Sequence, residues 1–117
     1  MTALEILKKA RAKITLPENW TQKEYARDSE GSGVSIKDGV CFCSIGAIQS
    51  VAIALDISPI GIHLSIPVVQ NWVSAVDTLN VILEGGSIIE FNDTHTHAEV
   101  LAMFDAGIAS LEPVSKY

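Results

Sequence analysis

Two cysteines one residue apart, Cys41 and Cys43, are the side chains best suited to chemistry. A thiolate is favoured near a helix N-terminus, and Cys43 falls in the first turn of a predicted helix. His97 opens a later predicted helix, and Asn92 and Asp93 come shortly before it. A thiol, an imidazole and an orienting amide or carboxylate form a known catalytic arrangement. The pattern therefore predicts Cys43 as a nucleophile, His97 as its base and Asn92 or Asp93 as the orienting group.

A metal site is a second interpretation of the same region. Zinc accepts two thiolates and two imidazoles, and Cys41, Cys43, His95 and His97 would supply that set. The spacings C-x-C and H-x-H differ from the usual zinc-finger spacings, and a domain of this size does not need a metal to fold. A structural zinc site is therefore kept as an alternative, and the leading interpretation includes no metal and no cofactor.

A structural role is the third interpretation, and the residue types favour it. A free cysteine behaves as a small buried hydrophobe. His97 shares a predicted helix face with Leu101 and Phe104, which is typical of a half-buried histidine held by one or two hydrogen bonds. Asn92 and Asp93 then supply loop and capping interactions.

The composition indicates a folded chain with more apolar surface than one small domain can bury. Of the 117 residues, 48% are hydrophobic and 19% are charged, which argues against disorder. The length is that of one domain, so we expect a single domain over 1–117. So small a domain has much surface to cover, and the apolar excess therefore predicts a homo-oligomer. The formal net charge of -6 argues against binding to nucleic acid.

The apolar segment 39–76 lacks the pattern of a membrane-spanning helix. Residues 39–76 contain one formal charge, Asp56, but polar side chains and two prolines interrupt the uncharged runs on either side of it. We expect no membrane partner. The first fourteen residues lack the apolar run of a signal peptide. Two cysteines are too few for a disulfide scaffold, so we expect a cytoplasmic protein with reduced thiols.

Helical signals dominate the pattern. The capping box Thr2-Ala3-Leu4-Glu5 begins a first helix that ends at Leu16-Pro17. A second, nearly all-apolar helix is predicted from about Cys41 to Leu55, and a third from Pro67 to the glycines 85–86. A second capping box, 96–99, begins a fourth helix that closes at Pro113.

The predicted fold class is therefore mainly α, a compact bundle of about four helices. A small hairpin or short strands are predicted near 21–40, with Val34-Ser35-Ile36 as one strand, and another short strand near 87–91. Trp72 lies on the apolar stripe of the third helix and is predicted in the core. Trp20 stands among polar residues and is predicted to cover the core.

Three separated motifs resemble a family of small bacterial and phage-encoded proteins classed only as a domain of unknown function. They are W-T-x-x-x-Y-A-R-D (20–28), C-x-C-S-I-G-A-I (41–48) and N-D-T-H-T-H-A-E-V-L-A-M-F-D (92–105). The resemblance implies no activity, cofactor or catalytic residue. It implies that six residues occupy signature positions: Trp20, Cys43, Gly46, Asn92, Asp93 and His97. Phe91 is a departure, since a Trp is expected before Asn-Asp.

Together these observations favour a non-enzymatic interaction or structural module that forms a homodimer and binds a protein partner of unknown identity. A small cysteine-dependent enzyme that uses Cys43 and His97 is the first alternative, and the zinc site is the second. Whether Cys43 and His97 meet depends on the fold.

Overall fold

The computed structural model describes residues 2–55, 57–58, 61–62 and 66–113. These residues form five helices: α1 (Ala3–Lys13), α2 (Ser44–Leu55), α3 (Ile66–Ile82), α4 (Ile88–Thr94) and α5 (His97–Leu111). Four two-residue strands accompany them: β1 (Ala26–Arg27), β2 (Cys41–Phe42), β3 (Ile57–Ser58) and β4 (Gly61–Ile62). The predicted mainly α class is confirmed, with one helix more than expected.

Both predicted capping boxes are present. The side chain of Thr2 accepts from the backbone N–H of Glu5, and the Glu5 carboxylate accepts from the backbone of Thr2, so two otherwise unpaired N–H groups at the start of α1 are satisfied. Thr96 and Glu99 repeat the arrangement at the start of α5. These local signals set where the two helices begin.

The core lies where α1, α2, α3 and α5 pack together. Its largest fully buried apolar side chains come from all four helices: Ile6, Leu7, Ile48, Leu79, Val100 and Phe104, together with Ile14 just after α1. Gly107 allows α3 and α5 to approach closely, because a Cβ there would lie 2.7 Å from Leu79 Cδ2. Trp72 packs against this core while remaining half-buried.

The predicted strand at 87–91 is wrong. Ser87 caps a helix instead, since its side chain accepts from the backbone N–H of Glu90 at 3.3 Å. Ile88 and Asn92, four residues apart, are the buried members of α4, so this segment is buried at helical spacing. Ile88, Ile89 and Phe91 are residue types that favour strands, but tertiary packing selects the helix.

The segment 21–40 contributes part of a small sheet. Strand β1 pairs antiparallel with β2, with Ala26 opposite Phe42 and Arg27 opposite Cys41. The prediction of a strand at Val34-Ser35-Ile36 is wrong, because Ile36–Asp38 is a single 3₁₀ turn. Helix α2 begins at Ser44 rather than at Cys41, because residues 41–42 are extended against β1.

A second antiparallel pair, β3 with β4, follows α2. It falls between the predicted end of the second helix at Leu55 and the predicted start of the third at Pro67. Among the described residues, no helix is both long enough and apolar enough to cross a membrane.

Candidate functional site

The side chain of Asn92 is fully buried and accepts three hydrogen bonds. Its Oδ1 accepts from Trp20 Nε1 at 2.8 Å, from the Ser44 backbone N at 3.0 Å and from Ser44 Oγ at 2.7 Å. The Asn92 Nδ2 donates to the Thr21 carbonyl oxygen at 3.0 Å. We call these four residues, Trp20, Thr21, Ser44 and Asn92, the Asn92 network. It joins the 20–21 segment, the start of α2 and helix α4.

The residues after Thr21 are fastened to the same helix. Gln22 Nε2 donates to the carbonyl oxygens of Asn92 and His95 at 2.9 and 3.1 Å. The Lys23 backbone N donates to Asp93 Oδ1 at 2.7 Å. Lys23 has a φ of 69°, a left-handed conformation that is uncommon for a residue with a side chain. The Asp93 carboxylate therefore holds a turn that the Lys23 backbone would otherwise disfavour.

The start of α2 is pressed against the chain at Tyr25. The Tyr25 carbonyl oxygen accepts from the Cys43 backbone N at 3.3 Å. A Cβ on Gly46 would lie 1.9 Å from that carbonyl oxygen, which is far inside van der Waals contact. Glycine at position 46 is therefore required for this approach.

Cys43 is buried at the N-terminus of α2, with 4% of its surface exposed. Its Sγ accepts from the Gly46 backbone N at 3.3 Å. Burial raises the pKa of the Cys43 thiol above its ordinary value, and the negative charge of Asp93 adds to the increase, although the backbone N–H groups of Gly46 and Ile45 oppose it. The desolvation of the thiolate outweighs the helix N-terminus, so the thiol is protonated at neutral pH.

His97 interacts with a different part of the chain. Its Nε2 donates to the Ile14 carbonyl oxygen at 2.6 Å, just beyond the end of α1. Its ring packs against that of Trp20, with the centroids 5.3 Å apart. Within the part of the chain that the structure describes, no hydrogen bond joins Cys43 to His97, and neither Asn92 nor Asp93 hydrogen-bonds to the His97 ring.

The four residues of the predicted zinc site also have partners of their own. Cys41 Sγ lies 3.8 Å from the Arg27 carbonyl oxygen. His95 Nδ1 lies 3.0 Å from the Phe91 carbonyl oxygen, and its ring stacks on that of Phe91. Across residues 2–55, 57–58, 61–62 and 66–113, no three His, Cys, Asp or Glu side chains come together in a way that could hold a metal ion.

A cavity of about 220 Å³ lies beside the Asn92 network, and Cys43 and Asp93 contribute to its wall. The other lining residues are Lys23, Glu24, Tyr25 and Ile89. The structure thus brings Cys43 and Asp93 to one cavity and places Asn92 next to it in the core. His97 contacts Trp20 of the Asn92 network.

The sequence interpretation missed Ser44 and the 21–23 segment. Ser44 is a fully buried polar residue at the start of an apolar helix, where a buried hydroxyl needs a partner. Asn92 follows Ile88-Ile89-Glu90-Phe91, a run with three large apolar residues, and is a matching signal. The two signals lie 48 residues apart, and the sequence alone does not pair them.

A comparison with family models shows which family the chain belongs to. The model of a family of unknown function (DUF6197) matches residues 1–110. The chain belongs to this family. The match confirms the resemblance to a domain of unknown function that the three motifs indicated. No curated protein and no solved structure matches the chain.

Proposed function

We propose that this DUF6197 protein is a non-enzymatic interaction module that forms a homodimer through the outer surface of α3. The observation that carries the proposal is an apolar surface around Trp72. A cavity of about 220 Å³ opens there, lined by Gln49, Ala52, Ile53 and Trp72. Val73 lies next to Trp72 in the chain and is 47% exposed. We call Gln49, Ala52, Ile53, Trp72 and Val73 the Trp72 surface.

The Trp72 surface contains a donor that lacks an acceptor. Trp72 Nε1 is buried, and among the described residues it has no hydrogen-bond partner. A buried polar group without a partner costs about 1–3 kcal/mol. Because Nε1 has almost no accessible surface in the single chain, an acceptor from a second chain recovers that cost only if the Trp72 side chain moves on association. In a two-fold contact the same patch meets itself, so the Gln49 carboxamide of each protomer would approach Trp72 of the other.

The low charge of this region also favours a second copy of the chain as the partner that covers the Trp72 surface. All five residues of the Trp72 surface lie in the stretch 39–76, which has one formal charge, Asp56. Burying such a surface removes few charges from water, which keeps the desolvation cost low. The net charge of -6 keeps the remaining surface soluble and argues against nucleic acid as the partner. Reduced thiols and a cytoplasmic location, in a bacterial or phage setting, form part of the same proposal.

The geometry around Cys43 weighs against the enzymatic alternative. A nucleophilic cysteine needs a lowered pKa and a base within reach. Burial raises the pKa of Cys43, and His97 donates to the Ile14 carbonyl oxygen instead. The hydrogen bonds made by Cys41 and His95 likewise favour a structural role over the zinc site.

Substitution on the Trp72 surface tests the proposal. Val73→Lys places a charge on the exposed side of α3 next to Trp72 and should convert a dimer to a monomer in size-exclusion chromatography with light scattering. Val40→Lys is the matched control, because Val40 is 54% exposed and lies outside α3. The control should remain dimeric. Equal masses for the two variants would argue against this surface as the interface.

A further inference from the structure

The cavity at Cys43, separate from the Trp72 surface, has the features of a binding site for a small molecule. Its volume of about 220 Å³ equals that of roughly seven water molecules at liquid density. A ligand with a single six-membered ring and a short side chain would fill it. Ile89 and Tyr25 offer apolar surface, and Asp93, Glu24 and Lys23 offer charge.

One carboxylate oxygen at this cavity is left for a ligand. Asp93 Oδ1 accepts from the Lys23 backbone N at 2.7 Å and lies 3.3 Å from Asn92 Nδ2. Among the described residues, Asp93 Oδ2 accepts no hydrogen bond, and no ion pair involves Asp93. Two donors on Oδ1 fix the carboxylate in place, so little ordering cost remains when Oδ2 receives a partner.

The charges at the cavity favour a cation. Asp93 and Glu24 contribute two negative charges, and Lys23 contributes one positive charge. The N-terminus of α2 does not reverse this preference, because groups of this chain already occupy two of its N–H donors. The Ser44 backbone N donates to Asn92 Oδ1, and the Gly46 backbone N donates to Cys43 Sγ. With these two N–H groups occupied by groups of this chain, the attraction of the α2 N-terminus for an anion is weakened.

The Cys43 thiol contributes to recognition rather than to reaction. It is protonated at neutral pH, so it adds no negative charge and presents a soft, weakly polar wall to the ligand. An amine that enters this cavity would meet the Asp93 carboxylate and the apolar surface of Ile89 and Tyr25.

We propose that the cavity formed by Cys43, Asp93, Tyr25 and Ile89 binds a small primary ammonium compound, with the ammonium group donating to Asp93 Oδ2. The bound molecule would contact Ile89 and Tyr25 through its apolar part. This site is independent of the homodimer proposal, because none of its residues belongs to the Trp72 surface.

Titration with benzylamine, followed by the backbone amide resonances in NMR, tests the site. Saturable shifts are expected at Lys23, Cys43 and Asp93, with a dissociation constant of about 1 mM for so small a ligand. Benzyl alcohol is the matched neutral probe, because it has the same ring and lacks the charge. It should bind at least tenfold more weakly. Equal binding of the two probes, or no saturable shift at these amides, would overturn the proposal.

A variant of Asp93 distinguishes the effect of its negative charge on ligand binding from its effect on the fold. Asp93→Asn keeps an oxygen that can accept from the Lys23 backbone N but loses the negative charge. Benzylamine should bind this variant at least tenfold more weakly than the wild type, while the amide spectrum shows the same fold. Asp77→Asn, an exposed position on α3, is the control and should bind as the wild type does. If Asp93→Asn also binds like the wild type, the ammonium group is not recognised by Asp93 and the proposal fails.

Discussion

Trp20 Nε1 donates a hydrogen bond of 2.8 Å to Asn92 Oδ1, which joins residues 72 positions apart through a fully buried amide. The same oxygen accepts from the backbone and the side chain of Ser44 at the start of α2. Three segments distant in sequence thus depend on one side chain. A buried polar group that is fully hydrogen-bonded fixes the relative positions of the elements it joins.

Removal of the Asn92 side chain should destabilise the protein strongly. Asn92→Ala leaves Trp20 Nε1, the Ser44 backbone N and the Thr21 carbonyl oxygen without their partner. Each such group costs about 1–3 kcal/mol, so the free energy of unfolding should fall by about 3 kcal/mol or more. Urea denaturation at pH 7 measures the change. Asn80→Ala, on α3, is the control, and a loss there as large as at position 92 would contradict a special role for the Asn92 network.

Gly46→Ala should also be severe, for a steric reason. The new Cβ would lie 1.9 Å from the Tyr25 carbonyl oxygen, so α2 or the Tyr25 backbone must move. Overpacking of this kind costs about 1–3 kcal/mol and sometimes more. Gly31→Ala is an informative comparison, because that site is open but has a φ of 85°. It should cost about 1 kcal/mol from backbone strain alone. Thermal unfolding of both variants would refute the steric account if Gly46→Ala proved the milder of the two.

Cys43 should make stability depend on pH above neutrality. Burial raises the pKa of its thiol in the folded state, whereas the unfolded thiol ionises near its ordinary value of about 8.5. The contribution is therefore fully present below that value and is lost as the pH rises through the folded pKa. Cys43→Ser cannot titrate in this range and keeps an acceptor for the Gly46 backbone N. The difference in unfolding free energy between the wild type and Cys43→Ser should shrink between pH 8 and pH 10. A constant difference would show that the thiol is not shifted.

Glu99 should produce the opposite dependence at acid pH. Hydrogen bonds from the backbone and the side chain of Thr96 lower the pKa of the Glu99 carboxyl. Its stabilising effect is present above the unfolded pKa of about 4.3 and disappears as the pH falls through the folded value. Glu99→Gln should therefore lower the melting temperature at pH 6 and have little effect at pH 3. Glu18→Gln, at an exposed position before Trp20, should show no such change, and equal behaviour of the two variants would count against the capping interaction.

The sequence predicted those helix ends that depend on residues close to them in the chain. The capping boxes at Thr2 and Thr96 satisfy helix N–H groups within four residues of chain, so α1 and α5 begin where the pattern indicated. The predicted end of the second helix at Leu55 likewise matches the end of α2. Such features need no knowledge of distant contacts.

The misassigned segments are those that distant contacts decide. Residues 41–42 continue a nearly all-apolar helical pattern but are held extended by pairing with Ala26 and Arg27. The predicted strand at 87–91 contains residue types that favour strands, but Ile88–Thr94 is a helix that buries Ile88 and Asn92. The residue pattern of one segment does not show which distant segment will pair with it or pack against it.

Distant contacts also decide which residues of the candidate site come together, so the sequence indicated its arrangement only in part. Asn92, Asp93 and Cys43 do lie in one neighbourhood, and Trp20 does cover the core. The position of His97 could not be predicted, because its partner is the Ile14 carbonyl oxygen 83 residues away, and a backbone acceptor has no signature in the sequence.

Sedimentation equilibrium of the unmodified protein at tens of micromolar tests the central claim, self-association, most directly. The chain has a mass of 12.5 kDa. The account predicts a species of twice the chain mass that Val73→Lys converts to the monomer. A single monomeric species across the concentration range would contradict the homodimer and leave the Trp72 surface without its proposed occupant.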